Sequence, residues 1–154
     1  GGSLGGYLES QTYYGVHAYG GEVRWTRPPG KPNKPYSLGF DRPVDFYIVQ
    51  YIAPKGSTQV IEGNEGSVTL VDVQGTYYTG DFTLSGKGFT LSAPLKSLSV
   101  NRKTGLFKGS MKGNGKVFKF GGAIDQAIPW GAGHVTVEGQ SHAVELFTDE
   151  STPM

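Results

Sequence analysis

One phrase occurs twice in this chain. "FKGSMKGNGKVFKFGGAI" runs from Phe107 to Ile124, and "YTGDFTLSGKGFTLSAPL" runs from Tyr78 to Leu95, 29 positions earlier and without a gap. Gly80 aligns with Gly109, Gly86 with Gly115, Lys87 with Lys116 and Phe89 with Phe118. Asn114-Gly115 is the strongest short hairpin signal, because both central positions of a type I′ turn need a positive φ. A hairpin centred there sets Met111 opposite Phe118, Gly109 opposite Phe120 and Phe107 opposite Gly122. One face then carries Phe107, Gly109, Met111, Phe118 and Phe120. The other carries Lys108, Ser110, Lys112, Val117 and Lys119, the alternation of a half-buried antiparallel pair. A turn at Ser85-Gly86 in the earlier copy sets Phe82 opposite Phe89 and Gly80 opposite Leu91. Each glycine leaves room for a large apolar neighbour and lets the strand bend. The repeated residues make turns and core, and none is a nucleophile, an acid or a metal ligand. The repeat therefore reads as architecture, two equivalent hairpins of one curved sheet.

The rest of the chain agrees with a β reading. No window free of glycine and proline carries apolar residues at helical spacing. Strands are expected near 12–19, 21–27, 36–40, 44–53, 58–62, 67–73, 76–84, 87–93, 96–100, 106–113, 116–124, 133–138 and 142–147. Gly139-Gln140 suits a type II′ turn with glycine first, which sets Val137 opposite His142 and Val135 opposite Val144. Strand 44–53 is apolar on both faces and is expected to be central, covered on both sides. The stretch 28–35, "PPGKPNKP", cannot donate to a ladder at its prolines and reads as a loop or edge. These patterns predict an all-β fold, an antiparallel β-barrel or barrel-like sandwich of about ten short strands with an internally duplicated hairpin. The expected division is a flexible N-terminal segment at 1–5, a single β domain over 6–148 and a tail at 149–154.

Composition narrows the chemistry. The 154 residues include 25 glycines, which with abundant Tyr, Val and Thr fits short strands and tight turns. There is no cysteine, which excludes disulfides, thiolate nucleophiles and thiolate metal sites. The formal net charge is +1, so no global field draws the chain to nucleic acid. No apolar run reaches the length of a membrane span.

The segments "VNRKTGLFKGSM", "VFKFGGAIDQ" and "GAGHVTVEGQSHAVEL" resemble a β-rich repeat module of large exported bacterial proteins, notably of planctomycetes and verrucomicrobia. The matching positions are Asn101, Lys103, Thr104, Gly105, Leu106, Phe107, Gly109, Ser110, Phe120, Gly121, Gly131 and Gly133, about the last third of the chain. The resemblance implies an exported β-rich module that forms part of something larger, placed outside the cell or in the periplasm. It implies no catalytic residue.

Candidate chemistry is sparse. His134 and His142 lie close in the last hairpin, but their register sends them to opposite sides, so a shared metal is not expected. His17 is expected to share a strand face with Tyr13 and Tyr19, and with Asp45 or Asp72 it could do general acid–base work. No G-x-S-x-G elbow and no phosphate loop occurs. Arg102, Lys103, Lys108, Lys112, Lys116 and Lys119 follow one another without an acid. Of these, Lys108, Lys112 and Lys119 form a basic stripe that either meets an anionic partner or guards a solvated edge. The stripe lacks interleaved aromatics, so nucleic acid is not expected. The loop pattern Pro-x-x-Pro-x-Lys reads as a stiff loop.

The leading expectation is a non-enzymatic structural or interaction module, a subunit or domain of a larger exported or membrane-peripheral assembly with other protein subunits as partners. The candidate contact residues are Trp25, Tyr36, Tyr47, Tyr51 and Trp130, large aromatics several of which sit beside rigid turns. A barrel binding a small apolar or sugar ligand is the alternative, and a barrel isomerase or cyclase built on His17 is the second. No metal and no cofactor are expected. A filled core favours the module and a lined lumen favours the others.

Overall fold

A computed structural model of the chain describes residues 2–13, 15–32, 36–72, 74–85 and 88–149. It is all-β, with two antiparallel sheets that contain twelve strands. The contacts gather into two units, Gly1–Gln50 and Tyr51–Met154, where the sequence suggests one domain over 6–148. Each unit is described by itself.

The first unit is a small sheet of β1 (Ser3–Gly6), β2 (Glu9–Tyr13), β3 (Val16–Arg27) and β4 (Phe40–Val49). The long β3 is its spine. β4 pairs along one side of β3 from Ala18 to Arg27, and β1 and β2 share the other side. Ser3 pairs with Thr26 and Glu9 with Gly20, so β1 and β2 keep one register, interrupted only at Tyr7 and Leu8. The segment expected to be flexible at 1–5 thus contributes a paired strand. The strand expected over 12–19 instead turns between Tyr13 and Val16, where Gly15 has φ +77. β4 is the element expected to be central. It is an edge strand, paired only with β3, and most of its residues are exposed. Phe40, Val44, Phe46 and Ile48 alternate along one of its faces, while Asp41 and Asp45 lie on the other.

The second unit is an eight-stranded sheet in the order β7-β6-β5-β12-β11-β10-β9-β8. Its strands are β5 (Glu65–Val71), β6 (Tyr77–Ser85), β7 (Gly88–Leu91), β8 (Leu95–Val100), β9 (Leu106–Gly113), β10 (Lys116–Asp125), β11 (Trp130–Val137) and β12 (Gln140–Thr148). The sheet curls into a nearly closed barrel. The turn between β7 and β8 bridges the seam, with Ser92 N donating to Asp81 O (2.9 Å) and Lys112 N to Pro94 O (3.0 Å). The interior is filled by side chains. Val68, Leu70, Phe82, Met111, Val135, Val144 and Leu146 are the largest fully buried ones, with Phe107, Phe118 and Phe120 beside them.

The β9–β10 register matches the reading from Asn114-Gly115: Met111 pairs with Phe118, Gly109 with Phe120 and Phe107 with Gly122. Asn114 and Gly115 have φ +48 and +73, as a type I′ turn needs. Two other hairpins differ from their expected register. Phe82 pairs with Leu91 rather than Phe89, so the loop falls at 86–87, outside the described residues. Val135 pairs with His142 rather than Val144, and the turn is Glu138-Gly139, at φ +51 and +81. Each shift spans two residues and so keeps every side chain on its face, which is why alternation alone could not detect it. Gly80 accordingly makes room for Leu95, not Leu91: a Cβ there would lie 2.7 Å from the Leu95 Cβ. At Gly109 an added Cβ would collide with the Phe120 ring and the Ser97 carbonyl.

The duplication extends one strand further than the quoted phrase. Shifted by the same 29 positions, Glu65–Val71 falls on 94–100, the span of β8. The repeated object is a three-stranded meander, β5-β6-β7 and β8-β9-β10, with the β11–β12 hairpin between the copies.

Both ends of this barrel are closed. At one, Tyr78 lies over Gly113, its ring centre 5.5 Å from that of Phe118. At the other, an irregular strap at 51–64 covers the mouth and buries Val60 and Ile61. The strand expected at 58–62 is part of this strap. The Arg102 guanidinium holds it by donating to Gly56 O (3.1 Å) and Thr58 O (2.9 Å), and Gln126 makes two hydrogen bonds to the Ile52 backbone. Of the expected tail at 149–154, only Asp149 lies within the described residues. It accepts from Asn64 N (2.9 Å).

Candidate partner-binding face

The period of the small sheet sorts its side chains by sign. Cross-strand pairing places Leu4, Trp25 and Arg42 in one row, Ser10, Tyr19 and Ile48 in another, and Val23 with Val44 between them. Phe46, paired with Gly21, and Phe40, paired with Arg27, complete this face. Successive residues of a strand point to opposite sides, so the remaining set defines the other face. That set includes Arg24, Thr26, Asp41 and the pair Glu22–Asp45. Arg24 grips Asp41 at both oxygens (2.7 Å each), and Thr26 adds a third bond at 3.1 Å. The guanidinium holds the Asp41 carboxyl below its ordinary pKa. One face is thus aromatic and aliphatic, and the other is ionic around Arg24 and Asp41, with the buried Ala18 paired to Val49 toward its far end.

The apolar face is open. Leu4, Tyr19, Trp25, Phe46 and Ile48 retain between 38% and 56% of their surface. At one end the rings form an edge-to-face cluster: Trp25 meets Phe40 at 4.9 Å and 84°, and Phe40 meets Tyr36 at 5.5 Å and 76°. Arg27 lies over the Tyr36 ring at 5.4 Å. Such contacts fix the rings, and fixed rings lose little freedom when a partner covers them. The other end is polar, with Ser10, Thr12 and His17. His17 meets Tyr19 edge-to-face at 5.0 Å.

The expected contact residues separate on this frame. Trp25 and Tyr36 lie together on the apolar face, at the ends of the loop whose positions 33–35 are outside the described residues. Tyr47 pairs with Gly20 and lies on the opposite face. Tyr51 belongs to the second unit, where it is a brace. Its hydroxyl donates to Arg102 O (2.9 Å), and its ring fills the space a Cβ would need at Gly105. Trp130 is half-buried beside Phe147, and its buried Nε1 has no hydrogen-bond partner among the described residues. Leu4, Tyr19, Phe40, Phe46 and Ile48 are the members of the face that the sequence reading missed. The alternation Val44, Phe46, Ile48 carries the signal, but within a strand expected over 44–53 it reads as one face of a strand covered on both sides, and Phe40 and Arg42 fall outside that strand.

The other candidate constellations come apart. Asp45 is on the face opposite His17, and Asp72 belongs to the other unit. Asp72 is buried and its oxygens are occupied, accepting from Gln74 N and Thr76 N (2.9 Å each) and from the Tyr78 hydroxyl (3.0 Å). His134 is exposed, whereas His142 pairs with the buried Val135 and its enclosed Nε2 has no hydrogen-bond partner among the described residues. Among the described residues no cluster of three or more His, Asp or Glu is arranged to hold a metal. Lys108, Lys112 and Lys119 stand exposed on the outer face of the large sheet. Lys116 pairs with Glu138 at 3.0 Å. Beside the strap, Ile52, Pro54, Val60, Gln126 and Pro129 line a recess of about 340 Å³. Among the described residues no helix is long and apolar enough to cross a membrane.

Comparison with protein-family models, with curated proteins and with solved structures finds no match.

Proposed function

We propose that this protein is a non-enzymatic interaction module, a subunit or domain of a larger exported or membrane-peripheral assembly, and that it docks through the Trp25 face of its small sheet. The observation that carries this reading is the contrast between the two sheets. The eight-stranded sheet fills its own interior, while the small sheet leaves a continuous apolar face open within its own unit. A sheet that is apolar on one face needs a second layer, and exposed apolar patches of this kind mark interaction sites. The resemblance to modules of large exported proteins supports the same reading, and with it a location outside the cell or in the periplasm.

Site-specific photocrosslinking in the native cell tests it. A crosslinker at position 48 should capture a discrete partner, and one at position 26, on the ionic face, should not. Equal capture from both positions would sink the assignment of the face. The recess of about 340 Å³ beside the strap favours a second reading, a small apolar ligand. It predicts shifts of the Ile52 and Gln126 amide resonances on titration with a short-chain alcohol such as hexanol. Unmoved resonances would dismiss it.

A further inference from the structure

We propose that the layer covering this face is the same face of a second copy, so that two small sheets stack into a two-layer sandwich across a two-fold axis. This rests on reading the face as an interaction surface and names its occupant.

Area is the first argument. Leu4, Tyr19, Trp25, Tyr36, Phe46 and Ile48 at their observed exposure offer roughly 500 Å² of apolar side chain, taking about 150–250 Å² for a fully exposed aromatic. A stable interface buries about 800 Å² per partner, of which roughly 60% is apolar, or about 480 Å². One copy of the face therefore supplies what one side of such an interface requires.

Charge is the second argument. Every charged group placed on this face by the register is a cation, and the cations lie at one end: Arg27 and Arg42, beside Trp25 and Phe40. The acids Glu9, Glu22, Asp41 and Asp45 all fall on the other face. If two copies stacked with their β3 strands parallel, four guanidinium groups would meet. A two-fold axis that runs the strands antiparallel sends the arginines of each copy to the far end of the other. There they meet Ser10, Thr12 and His17. Guanidinium only donates hydrogen bonds and hydroxyls accept them, so the two ends of one face complement each other. The charge layout thus selects one of the two stacking directions, with layers about 10 Å apart.

Sedimentation velocity of the full chain, from low micromolar to several hundred micromolar, tests the proposal. The expected result is a monomer–dimer equilibrium. Trp25→Glu and Ile48→Glu should each weaken it at least tenfold, while Lys112→Glu on the large sheet leaves it unchanged. Because a glutamate on this face could unfold the small sheet, iodide quenching of Trp25 in a Trp130→Phe background supplies a second measurement. Quenching should fall as concentration rises. A monomer at every concentration with Trp25 freely quenched would overturn the second copy as occupant and leave the face as an interaction site. A monomer whose Trp25 resists iodide at every dilution would overturn both, because the chain itself would then cover the face. A dimer indifferent to Trp25→Glu and Ile48→Glu would overturn the stacking.

Discussion

A single added carbon at Gly109 would collide with two neighbours on two different strands, Phe120 on β10 and the Ser97 carbonyl on β8. The backbone carbonyl cannot rotate away as a flexible side chain could. Gly109→Val should therefore destabilise by at least the about 1–3 kcal/mol typical of overpacking, read as a lower thermal midpoint. An unchanged midpoint would mean that Phe120 does not lie over this position. Asp72 acts through charge. Hydrogen bonds from Thr76 N, Gln74 N and the Tyr78 hydroxyl favour its ionised form and outweigh the burial that opposes it, so its pKa is lowered from 3.8. A carboxyl depressed on folding stabilises fully above its unfolded value, and that contribution is lost as pH falls through the folded value. Asp72→Asn should be less stable than the parent at neutral pH, and the gap should close below about pH 4. A gap that stayed constant down to pH 2 would show that the charge is not what matters there.

Strands and turns show how much of this fold was legible in the sequence. Asn-Gly specifies its own turn, so the β9–β10 register could be read outright. Glu138-Gly139 adopts the same turn type with a residue that disfavours it. A left-handed conformation costs a non-glycine residue about 1–2 kcal/mol, more than the exposed Lys116–Glu138 pair returns at about 0–1 kcal/mol. Glu138→Asn, which tolerates that conformation, should accordingly raise the denaturation midpoint. A lowered midpoint would assign the ion pair the larger share. The sequence pointed to Gly139-Gln140 because glycine is the usual first residue of a type II′ turn, and nothing local announces a strained glutamate. The strap at 51–64 escaped for a different reason. Arg102, Tyr51 and Gln126 hold it through backbone carbonyls and amides, and such contacts leave no periodic trace. β4 is the instructive misreading. Alternation tells which residues avoid water, but it cannot tell whether the cover comes from the same sheet or from a partner. The Trp25 face was therefore half visible: Trp25 and Tyr36 stood out by residue type, while Phe46 and Ile48 were assigned to a core.

The two units differ in how they can be stable. The eight-stranded sheet has a filled interior, both mouths closed and a bridged seam. The small sheet has one long strand with neighbours on either side, and among the described residues Ala18 and Val23 are the apolar side chains it buries. A fragment spanning 51–149 should fold alone with a cooperative thermal transition, seen by circular dichroism and by dispersed methyl resonances of Val68, Val135 and Val144. A fragment with collapsed dispersion and no transition would show that the first 50 residues are needed for the core.

The sheet order also dictates when that core can form as the chain is made. Its middle is the β11–β12 hairpin, the last pair of strands to be synthesised, and its two flanks are the older duplicated meanders. Until β12 emerges, β5 lacks the neighbour that joins its meander to the rest, and Val68, Leu70 and Phe82 face water. Domains generally fold as units during synthesis, and for this one protection waits for β12. Nascent chains stalled before Gln140 should be digested as readily as unfolded ones, with resistance appearing in one step once Thr148 is clear of the exit tunnel. Resistance that rises gradually from β8 onward would show that the meanders secure themselves without their keystone.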